Sequence, residues 1–258
     1  MTVKKPRIQR QFHAFNPKAY LHEYYRFVGK ENREILNFHI KAYSLIFTKL
    51  KRAEVLEFGG GPTIYQLIYL AKFPVEIDFS DYLDKNLDEV KNWLHDKPEK
   101  FDWNKFIQYV LKREGGRFDL TAVNERANLI RQKMRRFIQC DANLSYPLKF
   151  PRRFSYDIVS VNFVPESITD ELHEWSFFMN NILNLVKKGG YLVMCALVGA
   201  EYYRVGDKYF PATPLSSEHI LSGLKRKKLL IQHTHFVGAE HYDEQGYEGI
   251  FMVLGKRV

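Results

Sequence analysis

A chain of 258 residues with 45% apolar content has room for one full α/β unit with some decoration, and its composition is that of an ordinary globular protein. Its two cysteines, Cys140 and Cys195, sit in apolar strand-like runs without zinc-type spacing, which argues against a disulfide framework and for a reducing, cytoplasmic setting. The formal charge of +9 raises a nucleic-acid reading, but the basic residues are spread over many elements; no run of about 18 apolar residues could span a bilayer, and the basic start, Met1 to Arg10, lacks the apolar core of a signal peptide.

In chain order, residues 12–27 form an aromatic cap carrying Phe12, Phe15, Tyr20, Tyr24, Tyr25 and Phe27, with Asn16-Pro17 as a turn or helix-start signal. Residues 31–49 read as an amphipathic helix through Ile35, Phe38, Ile40, Tyr43, Ile46 and Phe47. A short buried strand, Val55 to Phe58, then enters the turn Gly59-Gly60-Gly61-Pro62, behind which Ile64, Leu67, Ile68 and Ala71 recur at helical spacing. A second strand, Val75 to Phe79, ends at Ser80-Asp81-Tyr82. Helices are predicted at 86–94, from Trp103 through Leu111, and at 122–136. The last would close on the basic cluster Arg131 to Arg136, where cations offset the helix dipole.

The pattern continues with a strand at 137–142, a buried strand at 157–164 suited to the centre of a parallel sheet, and a helix at 169–186 stopped by Gly189-Gly190. A strand at 191–198 follows, then a loop around Pro211 and Pro214 and a helix at 216–224 whose end, or the turn after it, holds Lys225 to Lys228. Strands at 229–237 and 249–255 have no helix between them and can pair antiparallel. The expected fold is α/β, a mostly parallel but mixed seven-stranded sheet with an antiparallel C-terminal hairpin. It would form one domain, with residues 1–50 as cap and lid and 51–258 as a Rossmann-like core.

The glycine turn carries the chemistry. Glycine lets backbone approach a ligand because it has no Cβ and tolerates tight-turn dihedrals. Asp81 stands 22 residues beyond Gly59, close to the separation of about 20 at which an acid ending the second strand takes a pair of ribose hydroxyls. A dinucleotide fingerprint needs a third glycine to pack the helix for a pyrophosphate, and Ile64 stands there instead. S-adenosylmethionine has no phosphate and a bulky sulfonium tail, so a wider turn suits it better. A strand-to-helix connection with no ligand is the alternative for the turn alone; the partner Asp81 favours the ligand.

Phe15-Asn16-Pro17, Tyr20-Leu21, Tyr24-Tyr25, the run Gly59 to Gln66, Asp81-Tyr82, Asn86-Leu87, Trp93 and Phe101-Asp102-Trp103 closely resemble the nicotinamide, phenylethanolamine, thioether and indolethylamine N-methyltransferase family. The likeness continues through Cys140-Asp141, Lys187 to Gly190, Ala196-Leu197 and Tyr202-Tyr203. It implies a class I methyltransferase that binds S-adenosylmethionine and methylates a small amine or similarly soft nucleophile. By that resemblance Tyr20 and Tyr25 close over the cofactor and Gly59, Gly60 and Gly61 line its amino-acid tail. Thr63 and Tyr65 meet the carboxylate end, Asp81 and Asn86 the ribose and its neighbourhood, and Tyr82, Asp141 and Ala142 the adenine, and Val161 is a further candidate cofactor contact.

Nicotinamide-specific members carry an aspartate after the buried strand, where this chain has Cys195. Glu166, past the central strand, and Glu201, in Ala200-Glu201-Tyr202-Tyr203, are candidate carboxylates for accepting a proton from an amine. Solvated surface glutamate is the alternative for both. Tyr20, Asn162, Tyr203 and Tyr242, with Asp243, are the remaining candidates for the acceptor wall. The expected partner is a small amine or guanidine-like molecule, without metal, membrane or nucleic acid, and a monomer is slightly favoured. The rivals are a thioether, selenoether or pyridine acceptor, which needs no base, and an RNA-directed protein, which the enclosing cap disfavours.

Overall fold

The structure is a computed structural model and describes residues 10–150, 155–240 and 246–258. Strands β1 (Ala53–Phe58), β2 (Val75–Asp81), β3 (Met134–Gln139), β4 (Tyr156–Asn162), β5 (Val186–Val198), β8 (Leu229–Gly238) and β9 (Gly249–Arg257) make one sheet. Its order is β3-β2-β1-β4-β5-β9-β8. The first five strands are parallel, and β9 enters antiparallel between β5 and β8. This is the expected mixed sheet with its C-terminal hairpin.

Helices α2 (Lys30–Phe47), α3 (Asp84–Leu94), α4 (Asn104–Arg113) and α5 (Leu120–Lys133) share one core, while α6 (Leu172–Leu183) and α7 (Ser217–Arg226) belong to the other. Side-chain alternation along the strands sorts residues between the two cores: Val55 and Ile158 belong to the first, Leu56 and Val159 to the second. Both sides of the central strands are therefore apolar, which is why they read as continuous hydrophobic runs.

Three local expectations are corrected. The run after the glycine turn forms two short 3₁₀ turns, Tyr65–Leu67 and Leu70–Lys72, in place of a helix. Every residue from Pro62 to Ala71 is buried, so the segment has no water-facing stripe to shape an amphipathic helix. Arg126 of α5, itself buried, fixes its end by donating to the Ile68 carbonyl at 3.0 Å. Next, α6 stops at Leu183, before the glycines, and Lys187 to Gly190 form an irregularity inside β5, where Gly189 has φ +77°. The proline-bearing loop, finally, contains a small hairpin, β6 (Tyr202–Val205) with β7 (Lys208–Pro211).

The basic cluster at 131–136 also divides differently. Helix α5 ends at Lys133, and Arg135 and Arg136 belong to β3, where both reach the buried Asp78 of β2. Tyr156 Oη donates to the same carboxylate at 2.8 Å. Burial pushes the Asp78 carboxyl up, but the Arg136, Arg135 and Tyr156 hydrogen bonds together bring it down to about 2. Its contribution to stability is thus present above the ordinary aspartate range and lost as pH falls towards 2. Asp78→Ala should cost about 2–4 kcal/mol in urea unfolding, because it removes the buried carboxylate that Tyr156, Arg135 and Arg136 share.

Candidate active site

At the C-terminal ends of the parallel strands lies a cavity of about 500 Å³. That is the crevice where open α/β sheets place their ligands. The glycine turn forms one side. Gly59 (φ +66°) and Gly61 (φ +61°) hold left-handed backbone, and a Cβ on Gly60 would lie 2.3 Å from the Phe79 ring. The Thr63 hydroxyl donates to the Gly60 carbonyl at 2.7 Å, and Gln66 Nε2 reaches the same oxygen at 3.4 Å. Thr63 therefore holds the turn in shape while lining the cavity.

Asp81 ends β2 at the cavity wall. Its Oδ2 accepts from the Gly61 N–H at 2.9 Å, and its Oδ1 accepts from the Leu83 N–H at 2.8 Å and Asn86 Nδ2 at 2.9 Å. The acid thus ties the glycine turn to the start of α3. Burial raises its carboxyl, and the donors from Leu83, Asn86, Gly61 and Tyr82 oppose that. Asp141, Ala142 and Asn143 line the cavity after β3, and Tyr82, 54% exposed, stands at its rim.

The cap closes the other side. Asn16 accepts from the Lys18 and Ala19 N–H groups, and Pro17 occupies the first turn of α1 (Pro17–Tyr25), so the Asn-Pro pair does start a helix. Tyr20 lies 5.7 Å from the Tyr25 ring, and Tyr25 stacks on Tyr65 at 5.2 Å. Burial lifts the Tyr20 hydroxyl to about 12, so it stays protonated. Tyr24 Oη donates to the Arg204 carbonyl at 2.8 Å and Arg204 pairs with Glu23 at 2.7 Å, which fastens α1 to the β6–β7 hairpin. Phe15 and Tyr203 both pack on Phe210 of that hairpin. Tyr203 lines the cavity with Tyr20 and Tyr25.

The carboxylate candidates separate. Glu166 is fully buried in the turn after β4, behind the lining residues Val164 and Ser167. Its Oε1 accepts from the Leu197 N–H at 3.0 Å, and Oε2 has no partner among the described residues. Burial lifts this carboxyl to about 7, against the Leu197 donor. Its charge is felt by Tyr20, Tyr203 and Cys195. Neither glutamate is itself on the cavity lining; Glu201, in contrast to the buried Glu166, is exposed, because the chain turns at Gly199 (φ +69°) before entering β6. Val161 is buried in the second core and is not among the cavity's lining residues, whereas its neighbour Asn162, on the other face of β4, is. Tyr242 and Asp243 lie outside the described residues.

Sequence reasoning missed Phe163, Leu197 and Tyr247 on the wall. Phe163 has φ +58°, a backbone state that no composition signal announces. Tyr247 reaches the cavity from the far end of the chain, held by a 2.6 Å hydrogen bond from its hydroxyl to Glu31.

A glycine cradle, a buried acid tied to it and an aromatic roof over a cavity of this size fit a nucleoside with a sulfonium amino-acid tail. Solved structures of the same architecture include magnesium protoporphyrin IX methyltransferase from Synechocystis PCC 6803 with bound SAM, with a TM-score of 0.60, 14% identity and 99% and 100% of the two chains covered. Another is the Burkholderia thailandensis 1,6-didemethyltoxoflavin-N1-methyltransferase with bound 1,6-didemethyltoxoflavin and S-adenosylhomocysteine, with a TM-score of 0.55, 12% identity and 99% and 93% covered. The fold is that of the class I S-adenosylmethionine-dependent methyltransferases.

The NNMT/PNMT/TEMT family model matches residues 6–258, and the chain belongs to that family. It is 29% identical to nicotinamide N-methyltransferase of Sus scrofa over 249 residues, covering 95% of this chain and 93% of that one. To indolethylamine N-methyltransferase of Oryctolagus cuniculus it is 30% identical over 212 residues, covering 80% and 79%.

Asp81→Ala should weaken S-adenosylmethionine binding by about 2 kcal/mol or more, roughly 30-fold, since charged hydrogen bonds contribute about 1.5–3 kcal/mol. Titration calorimetry on the folded variant checks this, and unchanged affinity would remove Asp81 from the site.

Proposed function

We propose that the protein methylates a small cationic amine or a guanidine-like acceptor, which binds under the tyrosine roof beside Glu166. The observation that supports this best is the charge of the cavity. In a chain of net charge +9, the described lining holds five carboxylates, Glu23, Glu31, Asp81, Asp141 and Glu240, against Arg26 and Lys30. Arg204 offsets Glu23 from outside, and the remaining field favours a cation.

S-adenosylmethionine, when bound, supplies a methyl group on a sulfonium, already an excellent leaving group. The chain's own residues then have three tasks. Gly59 to Gly61 and Asp81 hold the donor in place. Tyr20, Tyr25 and Tyr203 exclude water and face the cation with aromatic surfaces, each worth about 0.5–2 kcal/mol. Alignment of donor and acceptor under such a roof can supply about 7 kcal/mol or more of the barrier. Glu166 keeps one oxygen on the Leu197 N–H; in this reading its second oxygen receives, by way of water, the proton an ammonium must lose before its lone pair can attack.

Cys195 stands where nicotinamide-specific relatives carry an aspartate; it is buried and its thiol is pushed up by burial and by the nearby Glu57 and Glu166, so it offers no charge to an acceptor. A screen of small amines, guanidines, pyridines and thioethers for S-adenosylhomocysteine release tests the proposal. Amines or guanidines should lead the panel; a thioether or pyridine in first place would overturn it.

A further inference from the structure

Basic residues that are scattered over many elements of the sequence are gathered by the topology at one end of the sheet. Strand pairing puts Val55, Ile158, Tyr191, Lys256 and Leu230 in one row across β1, β4, β5, β9 and β8. This row lies near the starts of the parallel strands, at the end opposite the cavity. Around it stand Lys49, Lys51 and Arg52 before β1, Lys188 in β5, the run Lys225 to Lys228 before β8, and Lys256. None of these makes an ion pair among the described residues, because the acids nearby are already engaged. Asp157 pairs with Lys187, Glu76 with Arg135 and Asp78 with both Arg135 and Arg136, and Glu54 acts on Arg136. The dipole of α7 accounts for cations in its last turn, but not for those beside β1, β5 and β9.

On the α2 side of the same end is a second, smaller cavity of about 220 Å³, lined by Leu45, Lys49, Tyr191, Gln232, Leu254 and Lys256. Lys256 Nζ lies 5.6 Å from the centre of the buried Tyr191 ring. Two ammonium groups and an amide thus line a notch whose remaining wall is aliphatic and aromatic. Beside it, Leu45 and Leu230 are 37% and 56% exposed. Leu230 is the register partner of Lys256 and so shares its face of the sheet. The rings at this end are occupied with other groups: Phe47 stacks on Phe73 at 4.1 Å, and Tyr191 is buried under Lys256. Single-stranded nucleic acid needs free aromatic platforms. Lysines interspersed with exposed aliphatic side chains suit an anionic bilayer surface instead.

We propose that the end of the sheet opposite the cavity docks on an anionic phospholipid surface, with a headgroup phosphate seated between Lys49 and Lys256 and Leu45 and Leu230 meeting the acyl boundary. The association is peripheral, since no helix among the described residues is long and apolar enough to cross a membrane. The two ends of the molecule also carry opposite character. The large cavity is lined mostly by carboxylates, so an anionic surface attracts the lysine-rich end and repels the other. The docked protein therefore holds its large cavity towards water, open to soluble small molecules. This goes beyond the methyl-transfer reading and does not depend on it.

The test is co-sedimentation of the full chain with vesicles of phosphatidylcholine alone and with about a third phosphatidylserine, where each cation near the surface is worth about a fivefold gain. The wild type should partition onto the anionic vesicles about 10²-fold more strongly, and lose tenfold or more of that when salt rises from about 0.05 to about 0.5 M. Replacing all four of Lys225, Arg226, Lys227 and Lys228 by Gln should weaken partition by about 10²-fold, and Lys49→Gln with Lys256→Gln by about tenfold. Leu230→Gln should weaken binding to vesicles about fivefold while leaving binding to heparin unchanged, which separates a lipid surface from a general polyanion. Lys18→Gln, on the cap, should change nothing. Circular dichroism confirms that each variant is folded; the replaced side chains in the four-residue variant and Leu230 are all exposed. Equal partition onto the two kinds of vesicle would overturn the proposal. So would tighter binding to mixed RNA than to anionic vesicles at the same salt, or vesicle binding indifferent to Leu230→Gln. No methyl donor or acceptor is present, so failure of the methyl-transfer reading cannot alter these results.

Discussion

Deleting residues 1–27 should leave a folded sheet whose turnover has fallen by about 10³-fold or more. The cap is an aromatic roof: Tyr20 and Tyr25 line the cavity, Tyr25 stacks on Tyr65 and lies 5.5 Å from Trp103, and Tyr24 and Glu23 fasten α1 to Arg204. Without it, alignment and water exclusion are lost together; a loss of about 4 kcal/mol from the roughly 7 available through positioning corresponds to that factor. The sheet itself keeps its strands, because α1 contributes none. Turnover measured alongside circular dichroism checks this. Full activity in the truncated protein would reduce the cap to packing.

Glu166→Gln should lower turnover of a protonated amine by about 10²-fold and leave a neutral acceptor nearly unchanged. Glutamine keeps the size of the side chain and its carbonyl can still accept from the Leu197 N–H, so the fold is preserved while the proton acceptor is lost. Because burial places the Glu166 carboxyl at about 7, it is ionised above that pH and protonated below. The amine rate in the wild type should therefore fall as pH drops through about 7, and the variant should lose that limb. Equal rates for the variant and the wild type with the best amine would remove Glu166 from the acceptor site.

Much of the fold was legible because the physical signals were local and strong. The buried run 157–164 and the strands without an intervening helix at the C-terminus gave the sheet and its hairpin, and Asn16-Pro17 gave the start of α1. Errors arose where burial was decided at long range. The segment Pro62 to Ala71 has helical spacing but is covered on all sides, and Arg135 and Arg136 are strand residues because Asp78, far back in the chain, needs partners. At the site, the glycine turn and Asp81 were readable from spacing, and the structure joins them through the Gly61 N–H. Glu201 could not be separated from Glu166 by sequence, since a single left-handed glycine, Gly199, decides which way the chain turns.

The most direct measurement is the ratio of kcat/KM for the best cationic amine to that for nicotinamide, determined on the wild-type protein with S-adenosylmethionine as donor. The carboxylate-lined, tyrosine-roofed cavity with Cys195 behind it should give a ratio well above one, of order 10 to 10² for about 1.4–2.7 kcal/mol of preferential transition-state stabilisation. A ratio below one would contradict the charge reading of the acceptor site.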